Sequence, residues 1–422
     1  MISLLYSVLY SLALVILLPF ELLKRPRSLR ERWIRERLGV YGEGQGAKDE
    51  RQKTIWVHAV SVGEVIAAVP LVKKIKERRP SIELVISTVT DTGQKVAAER
   101  MGSLARIVYV PFDLPFAVNR AFRRFTPSLC IIMETELWPA MIRAAGRRSM
   151  PVLLMNGRIS AGSFNGYRKV RLFIRRVLGG ISLFCVQNEL YAERLRLLGA
   201  APERIRVTGS FKFDTRPPSS PPEWTEQVSG PVLIAGSTHR TEEELILEAY
   251  AHLKAARPEL TLIVAPRHPE RFKEVEEVIR QKGLNYVKRS ELSGREEGCS
   301  GLVILLDVIG ELAALYGAAD IAIMGGSFIE HGGQNPLEPA FWGKAIVCGP
   351  HMENFPFIEE FYRQGGAVRV EPSALSAVLG DLIASPLERG RMGACARELY
   401  EKNAGATERA MALLERYLPG PL

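Results

Sequence analysis

The sequence predicts an α/β protein built from two Rossmann-like domains facing across a cleft, with an apolar helix at its N-terminus. Three observations predict it. The 422 residues are too many for one compact core. Short Val-, Ile- and Leu-rich runs recur with helical stretches between them, the rhythm of βαβ units and parallel sheets. One segment, Arg216-Pro217-Pro218-Ser219-Ser220-Pro221-Pro222, divides that rhythm in two. Four prolines in six positions cannot join a helix or a central strand, so 216–230 reads as a stiff linker. The domains then run over 24–215 and 231–400, with a final stretch at 401–422.

Composition sets the class. Hydrophobic residues make up 47% and charged residues 24%, ordinary for a globular chain, and do not indicate disorder. The net charge of +9 suits an anionic partner: nucleic acid, anionic lipid or a phosphorylated substrate. Cys130, Cys185, Cys299, Cys348 and Cys395 are odd in number and widely spaced. They form neither a disulfide framework nor a zinc motif, and read as buried free thiols.

At the N-terminus, Ile2 to Phe20 carries no charge. A spanning helix needs about 20 apolar residues, so 1–23 reads as a membrane anchor. Lys24, Arg25, Arg27, Arg30 and Arg32 follow the run rather than precede it, which argues against a signal peptide. The positive-inside rule places the remainder in the cytoplasm, with the basic cluster against anionic head groups. Tyr6, Ser7, Tyr10 and Ser11 keep a helix lying in the interface as a rival, and burial against the protein itself as a third reading. Residues 43–53 read as an exposed loop.

In the first half the strands are expected near 54–60, 82–90, 106–111, 129–134, 151–156, 181–187 and 204–209. The stretch His58-Ala59-Val60-Ser61-Val62-Gly63-Glu64 joins the first strand to a helix. Ser61 and Glu64 have capping-box spacing. Glu64 also lies in the first helical turn, where the dipole favours its ionised form, the state a general base requires. Cap and base both stay open on the local pattern. Thr88 to Gly93 offers hydroxyls at a strand end, and equally a helix cap. Glu134 and Glu136 follow an apolar strand, where carboxylates are costly unless solvated, paired or used. They would otherwise cap the next helix. Lys212 sits between Phe211 and Phe213, as a solvated lysine or as a cation facing an anionic group.

In the second half strands are expected near 231–236, 260–265, 302–306, 321–325 and 345–348. Polar, Gly-rich loops follow consecutive strands: Gly236 to His239, Pro266 to Glu270, Gly310-Glu311, Gly325 to Ser327, and Glu330 to Glu338. Asn335 is a natural N-cap and Pro336 a natural first helical residue, and free N–H groups at such an end hold anions. Each loop alone is turn and capping chemistry. Several together on one domain point to a nucleotide site. Neither GxGxxG nor a P-loop is present, and neither HExxH nor a Cys/His cluster suggests a metal. His58, His239, His268, His331 and His351 lie in or near strand ends and read as hydrogen-bonding or packing residues, and His252 as a helix-surface residue.

Six stretches in this order, HAVSVGE (58–64), METELWP (133–139), GSFKFD (209–214), PRHPERF (266–272), GGSFIEHGGQNPLEPA (325–340) and GPHMENF (349–355), resemble the 3-deoxy-D-manno-octulosonic acid (Kdo) transferases of lipopolysaccharide biosynthesis. The resemblance runs from the apolar N-terminus to about residue 417. It implies a GT-B fold and an inverting glycosyltransferase that moves Kdo from CMP-Kdo to a lipid A precursor (lipid IVA), without metal or cofactor. It places the general base on Glu64 and transition-state stabilisers on Glu134 and Lys212. It places CMP contacts on Pro266 and Arg267, on Ile309, Gly310 and Glu311, and on Asn335, Pro336, Leu337 and Glu338. The final helix, near 404–417, is expected to cross back onto the first domain. The partners it implies are CMP-Kdo, the lipid A precursor and anionic lipid of the inner membrane, with no nucleic acid. The catalytic part would lie on the cytoplasmic side. A GT-B sugar-nucleotide epimerase and a non-catalytic membrane-tethered nucleotide-binding protein are the alternative readings.

Overall fold

The computed structural model describes residues 2–42, 53–214, 217–292 and 298–419. The chain divides into two compact units, one of residues 1–214 with 404–422, the other of 215–403.

The first unit begins with helices α1 (Ile2–Leu23) and α2 (Arg27–Arg37). Its strands are β1 (Thr54–His58), β2 (Glu83–Thr88), β3 (Arg106–Tyr109), β4 (Pro127–Met133), β5 (Val152–Gly157), β6 (Leu183–Val186) and β7 (Ile205–Val207). Among the described residues they form one parallel sheet in the order β3-β2-β1-β4-β5-β6-β7. All five residues of β1 are buried. Trp56 enters the core on one face of the sheet, while Ile55 and Val57 enter the core on the other. Both faces are covered, which is why the strands read as unbroken apolar runs. The chain order reverses between β1 and β4, and in open α/β sheets ligands bind outside the strand ends at such a point.

The helix Ala406–Leu414 belongs to this unit. Ala406, Ala410, Met411 and Leu414 are fully buried in the same core as Val65, Leu71 and Val72 of α3 (Val62–Arg78). Lys74 and Arg78 pair with Glu408 on its outer side. The Asp214 carboxylate accepts from the N–H groups of Gly405 (2.6 Å) and Thr407 (2.5 Å) and so caps it.

Helix α1 has two apolar faces with different fates. Tyr10, Leu14, Leu18 and Leu22, spaced by four, pack on a core of Trp33, Tyr109, Phe112, Leu114 and Ala117. Tyr6, one step earlier, stacks on Phe173 at 5.6 Å and donates to the buried Asp113 at 2.8 Å. The opposite face, including Leu5, Leu9, Leu12, Ile16 and Phe20, is 57–66% exposed. By length and composition, Leu5–Leu23 could cross a membrane. Of the basic cluster, Arg25 is turned inward onto Asp91 (3.3 Å), Glu21 (2.9 Å) and the Trp33 ring. The loop expected at 43–53 lies, but for Lys53, outside the described residues.

The second unit holds β8 (Val232–Thr238), β9 (Thr261–Pro266), β10 (Tyr286–Lys288), β11 (Val303–Leu305), β12 (Ile321–Met324), β13 (Ala345–Cys348) and β14 (Ala367–Arg369). Their order is β10-β11-β9-β8-β12-β13-β14, all parallel, with the reversal between β8 and β12. Strands β10 and β14 correct the expected set of five. Each is a three-residue sheet edge that ends in a charged side chain, Lys288 or Arg369, so no apolar run marks it. The segment 216–230 carries the turn Glu223–Gln227, whose Trp224 lies in the core of this unit.

Candidate functional site

In the first unit Glu64 sits just beyond β1 at the point of reversal. Its side chain turns back over the helix end. Oε2 accepts from the Val60 N–H at 2.8 Å, Oε1 from the Ser61 hydroxyl at 3.1 Å, and the Glu64 N–H donates to Ser61 Oγ at 3.4 Å. This is a shifted form of the capping box, in which the carboxylate takes the N–H of the residue before the cap rather than that of Ser61 itself. Electrostatics corrects the expectation that the helix end keeps the carboxylate ionised. Burial raises its pKa, the nearby Glu134 and Glu136 raise it further, and the Val60 and Ser61 donors only partly offset them; it is pushed up to about 8.

Glu134 follows β4, across the reversal from Glu64. Its backbone is left-handed, at φ 52°, a conformation of appreciable cost for a non-glycine residue. Burial raises its pKa against the opposing fields of Lys212 and Arg158. Burial also raises Glu136, offset by a hydrogen bond from Trp138. Neither carboxylate caps the following helix Pro139–Gly146. That end is held by Asp113, which accepts from Ala140 and Met141 N–H, both at 2.9 Å. Lys212 lies in the turn Phe211–Asp214 between two buried rings, and burial lowers its pKa against the pull of Glu134. The sheet therefore brings Glu64 and Lys212 each within range of the Glu134 charge.

Two neighbours, Asn156 and Arg158, escaped the sequence reading. The only signal was the polar Asn-Gly-Arg that ends an apolar strand. The other candidate loops resolve structurally. Thr90 caps the next helix through Gly93 N–H at 3.0 Å. His58 is fully buried, meets the Ser87 hydroxyl at 2.9 Å, and is pushed down to about 3 by burial.

In the second unit the candidate loops follow β11, β9, β8 and β12, four adjacent strands. Pro266 ends β9 beside Thr238, and Arg267 N–H donates to the Thr238 carbonyl at 2.9 Å. The Arg267 side chain is exposed and acts on Glu338 from β12's loop. Asn335 Oδ1 accepts from Leu337 N–H at 3.2 Å, and its Nδ2 donates to Glu338 at 3.5 Å. Pro336 and Leu337 are buried beneath them. Burial pushes Glu338 up to about 6, offset by Asn335 and Arg267. Arg267, Asn335 and Glu338 thus form one group.

The stretch after β11 is different. Ile309 is 79% exposed and Gly310 has φ 96° with open space around it. The Glu311 carboxylate is already held, by both Nε (2.9 Å) and Nη2 (3.0 Å) of Arg289 and by Trp224 Nε1 at 3.0 Å. The exposed groups of this stretch are the Ile309 side chain and the open backbone at Gly310.

Glu242 was also missed. It is 1% exposed and accepts from His239 N–H (2.9 Å), Gly326 N–H (2.6 Å) and Phe328 N–H (2.9 Å). It ties the loop after β8 to the loop after β12. Its place in an acidic run, Glu242 to Glu244, reads as helix-end charge, and only the β12 loop buries it. Glu242→Ala orphans three donors at about 1–3 kcal/mol each. Calorimetry should show the second unit melting earlier by at least about 3 kcal/mol of stability, and an unchanged melt would refute the role. Beside it, the His239 ring lies 4.1 Å from His331 and 5.5 Å from His268, and is pushed down to about 4 by burial and these neighbours.

The comparisons with known proteins speak to the family and the fold. Residues 32–215 fit the family described as 3-Deoxy-D-manno-octulosonic-acid transferase (kdotransferase). A 3-deoxy-D-manno-octulosonic acid transferase of Haemophilus influenzae is 36% identical, over 94% of this chain and 93% of its own. That of Bordetella pertussis is 35% identical over 86% and 87%. The UDP-GlcNAc 2-epimerase of Neisseria meningitidis superposes with a TM-score of 0.58 over 86% of this chain and all of its own. At 12% identity that likeness speaks for the fold alone, two Rossmann-like units of the GT-B class. With relatives this similar over nearly its full length, the chain belongs to the 3-deoxy-D-manno-octulosonic acid transferase family and is a glycosyltransferase.

Proposed function

We propose that the protein is an inverting transferase that moves Kdo from CMP-Kdo to a sugar hydroxyl of a lipid A precursor such as lipid IVA. One observation carries the reading: at the reversal of the sheet the buried carboxylate Glu64, held by Val60 N–H and the Ser61 hydroxyl, lies within range of Glu134, which in turn faces Lys212. A carboxylate of raised pKa is a stronger base than an ordinary one. In its ionised form Glu64 takes the hydroxyl proton. The freed oxygen attacks the anomeric carbon of Kdo as the bond to the CMP phosphate breaks, and CMP leaves with that bonding pair. Glu134, ionised, stabilises positive charge growing on the sugar ring. Lys212 and Arg267 stabilise negative charge on the departing phosphate or the Kdo carboxylate. Arg267, Asn335 and Glu338 hold the nucleotide, with Pro266, Pro336 and Leu337 shaping their backbone, and Ile309, Gly310 and Glu311 border it.

The acceptor is amphiphilic and anionic, and the +9 charge and the bare apolar face of α1 suit it. The contacts of α1 with its own domain from Tyr6 to Leu22 support a helix that lies along the protein with its outer face in the lipid interface over one that crosses the bilayer. The catalytic units then sit on the cytoplasmic side of the inner membrane. Incubation with CMP-Kdo and lipid IVA, read by mass, should show product heavier by whole Kdo units and release of CMP. An unchanged acceptor mass would overturn the reading, and an isomerised sugar nucleotide would favour the epimerase alternative.

A further inference from the structure

We infer that Asn156 is a positioning residue for Kdo transfer, holding Glu134 and the Lys212 turn in a single register through the two ends of its side-chain amide. The inference rests on the catalytic reading of Glu134 and Lys212 given above.

Asn156 is fully buried near the end of β5. The pairing of β5 with β6 is irregular between Leu154 and Gly157, and Asn156 takes a left-handed φ of 56° there. Such irregularities re-aim side chains near functional sites, and asparagine tolerates the left-handed region better than most residues. The next residue is tightly packed: a Cβ at Gly157 would meet Leu154 Cδ2 and Val186 Cγ1 at 2.9 Å and would have to displace those side chains. The kink is thus locked by packing on one side. On the other, Gln187 Nε2 donates to the Asn156 carbonyl at 3.0 Å.

The redirected amide makes two bonds. Oδ1 accepts from the Phe211 N–H at 3.0 Å, next to Lys212. That partner is a backbone donor, so the atom facing it must be oxygen and the flip of the amide is settled. Nδ2 is then the atom facing Glu134 Oε1, at 3.4 Å. One end of the amide therefore fixes where the lysine turn begins, and the other donates to the carboxylate. Only an amide can do both. A carboxylate at 156 would keep the bond to Phe211 but repel Glu134, and an aliphatic residue would make neither. Misplacement of about 1 Å in a reacting group costs on the order of 10²-fold in rate. The two groups set by Asn156 arise from strands β4 and β7, which are not neighbours in the sheet.

The test is a double-mutant cycle. Asn156→Gly leaves the left-handed backbone unstrained and removes both bonds. We expect kcat to fall about 10²-fold with KM for CMP-Kdo within about twofold of the parent. In a Glu134→Gln background the same change should cost clearly less than in the parent, leaving only the part of the loss that runs through the Phe211 N–H and the Lys212 turn. Asn156→Asp, near-isosteric, runs the same cycle and carries it if the glycine variant fails to melt cooperatively. Full multiplicative losses in the double variant, or a loss confined to KM, would overturn the positioning role while leaving the function intact. Near-normal turnover by Glu134→Gln alone would overturn the catalytic reading of Glu134, and this inference with it.

Discussion

Replacing Glu64 by glutamine is expected to lower kcat by roughly 10²–10⁴-fold, the usual contribution of a positioned base, while leaving CMP affinity unchanged. The sign of the pH dependence follows from the carboxylate's environment. Its pKa is raised to about 8, first by burial and then by Glu134 and Glu136. A base works only when ionised, so kcat/KM of the parent should rise with pH, lose activity tenfold per unit well below pH 8, and level off above it. Glu64→Gln should be slow and flat across the same range. Near-normal turnover by this variant, or a parent profile that is already flat between pH 5 and 8, would remove Glu64 from the mechanism. The capping geometry does not weaken the prediction. Glutamine keeps a side-chain oxygen for the Val60 N–H, so a folded control is available. In the free protein the carboxylate is folded back over its own helix, and acceptor binding must draw it from Val60 and Ser61 or use it where it lies.

Charging the outer face of α1 should have the second largest effect. Leu9→Glu with Ile16→Glu places two charges on the exposed stripe. Each apolar side chain is worth roughly 1.5–3 kcal/mol when buried, so membrane partitioning should fall at least about 10²-fold with the thermal melt unchanged. The inner stripe predicts the reverse. Tyr6→Phe removes the donor to buried Asp113 and should lower stability by about 1–2 kcal/mol without releasing the protein from membranes. Sedimentation with vesicles and a melting curve read both. Orientation has its own check: a tag before residue 1 should be digested only when the cytoplasmic face is exposed. Digestion from the opposite face would mean that the helix crosses the bilayer, and undiminished pelleting of the doubly charged variant would refute the contact surface.

The strands that carry the site were legible because their chemistry is local and redundant. Every residue of β1 is buried on one face or the other, and such a strand announces itself as an apolar run. The capping box at Ser61 and Glu64 and the turn at Asn335 were legible for the same reason, since donor and acceptor lie within three residues. The edge strands β10 and β14 were not, because Tyr-Val-Lys and Ala-Val-Arg present no apolar run. Asn156 and Glu242 were not, because Asn156 bonds to residues 22 and 55 positions away and Glu242, besides its neighbour His239, to residues 84 and 86 positions away.

What the sequence determined by itself was the alternation of elements, the existence of two parallel sheets, the apolar N-terminal helix and the short-range caps. Periodicity and spacing specify these without reference to the rest of the chain. Only the tertiary structure decided the ionisation of Glu64, because burial and two carboxylates from β4's loop outweigh the helix end that the local pattern emphasised. Only it decided that α1 has an inner face docked on Asp113 and Phe173, and that Glu311 is taken up by Arg289 and Trp224. Desolvation and long-range pairing depend on which surfaces meet, and a sequence of one chain records those meetings only through the fold.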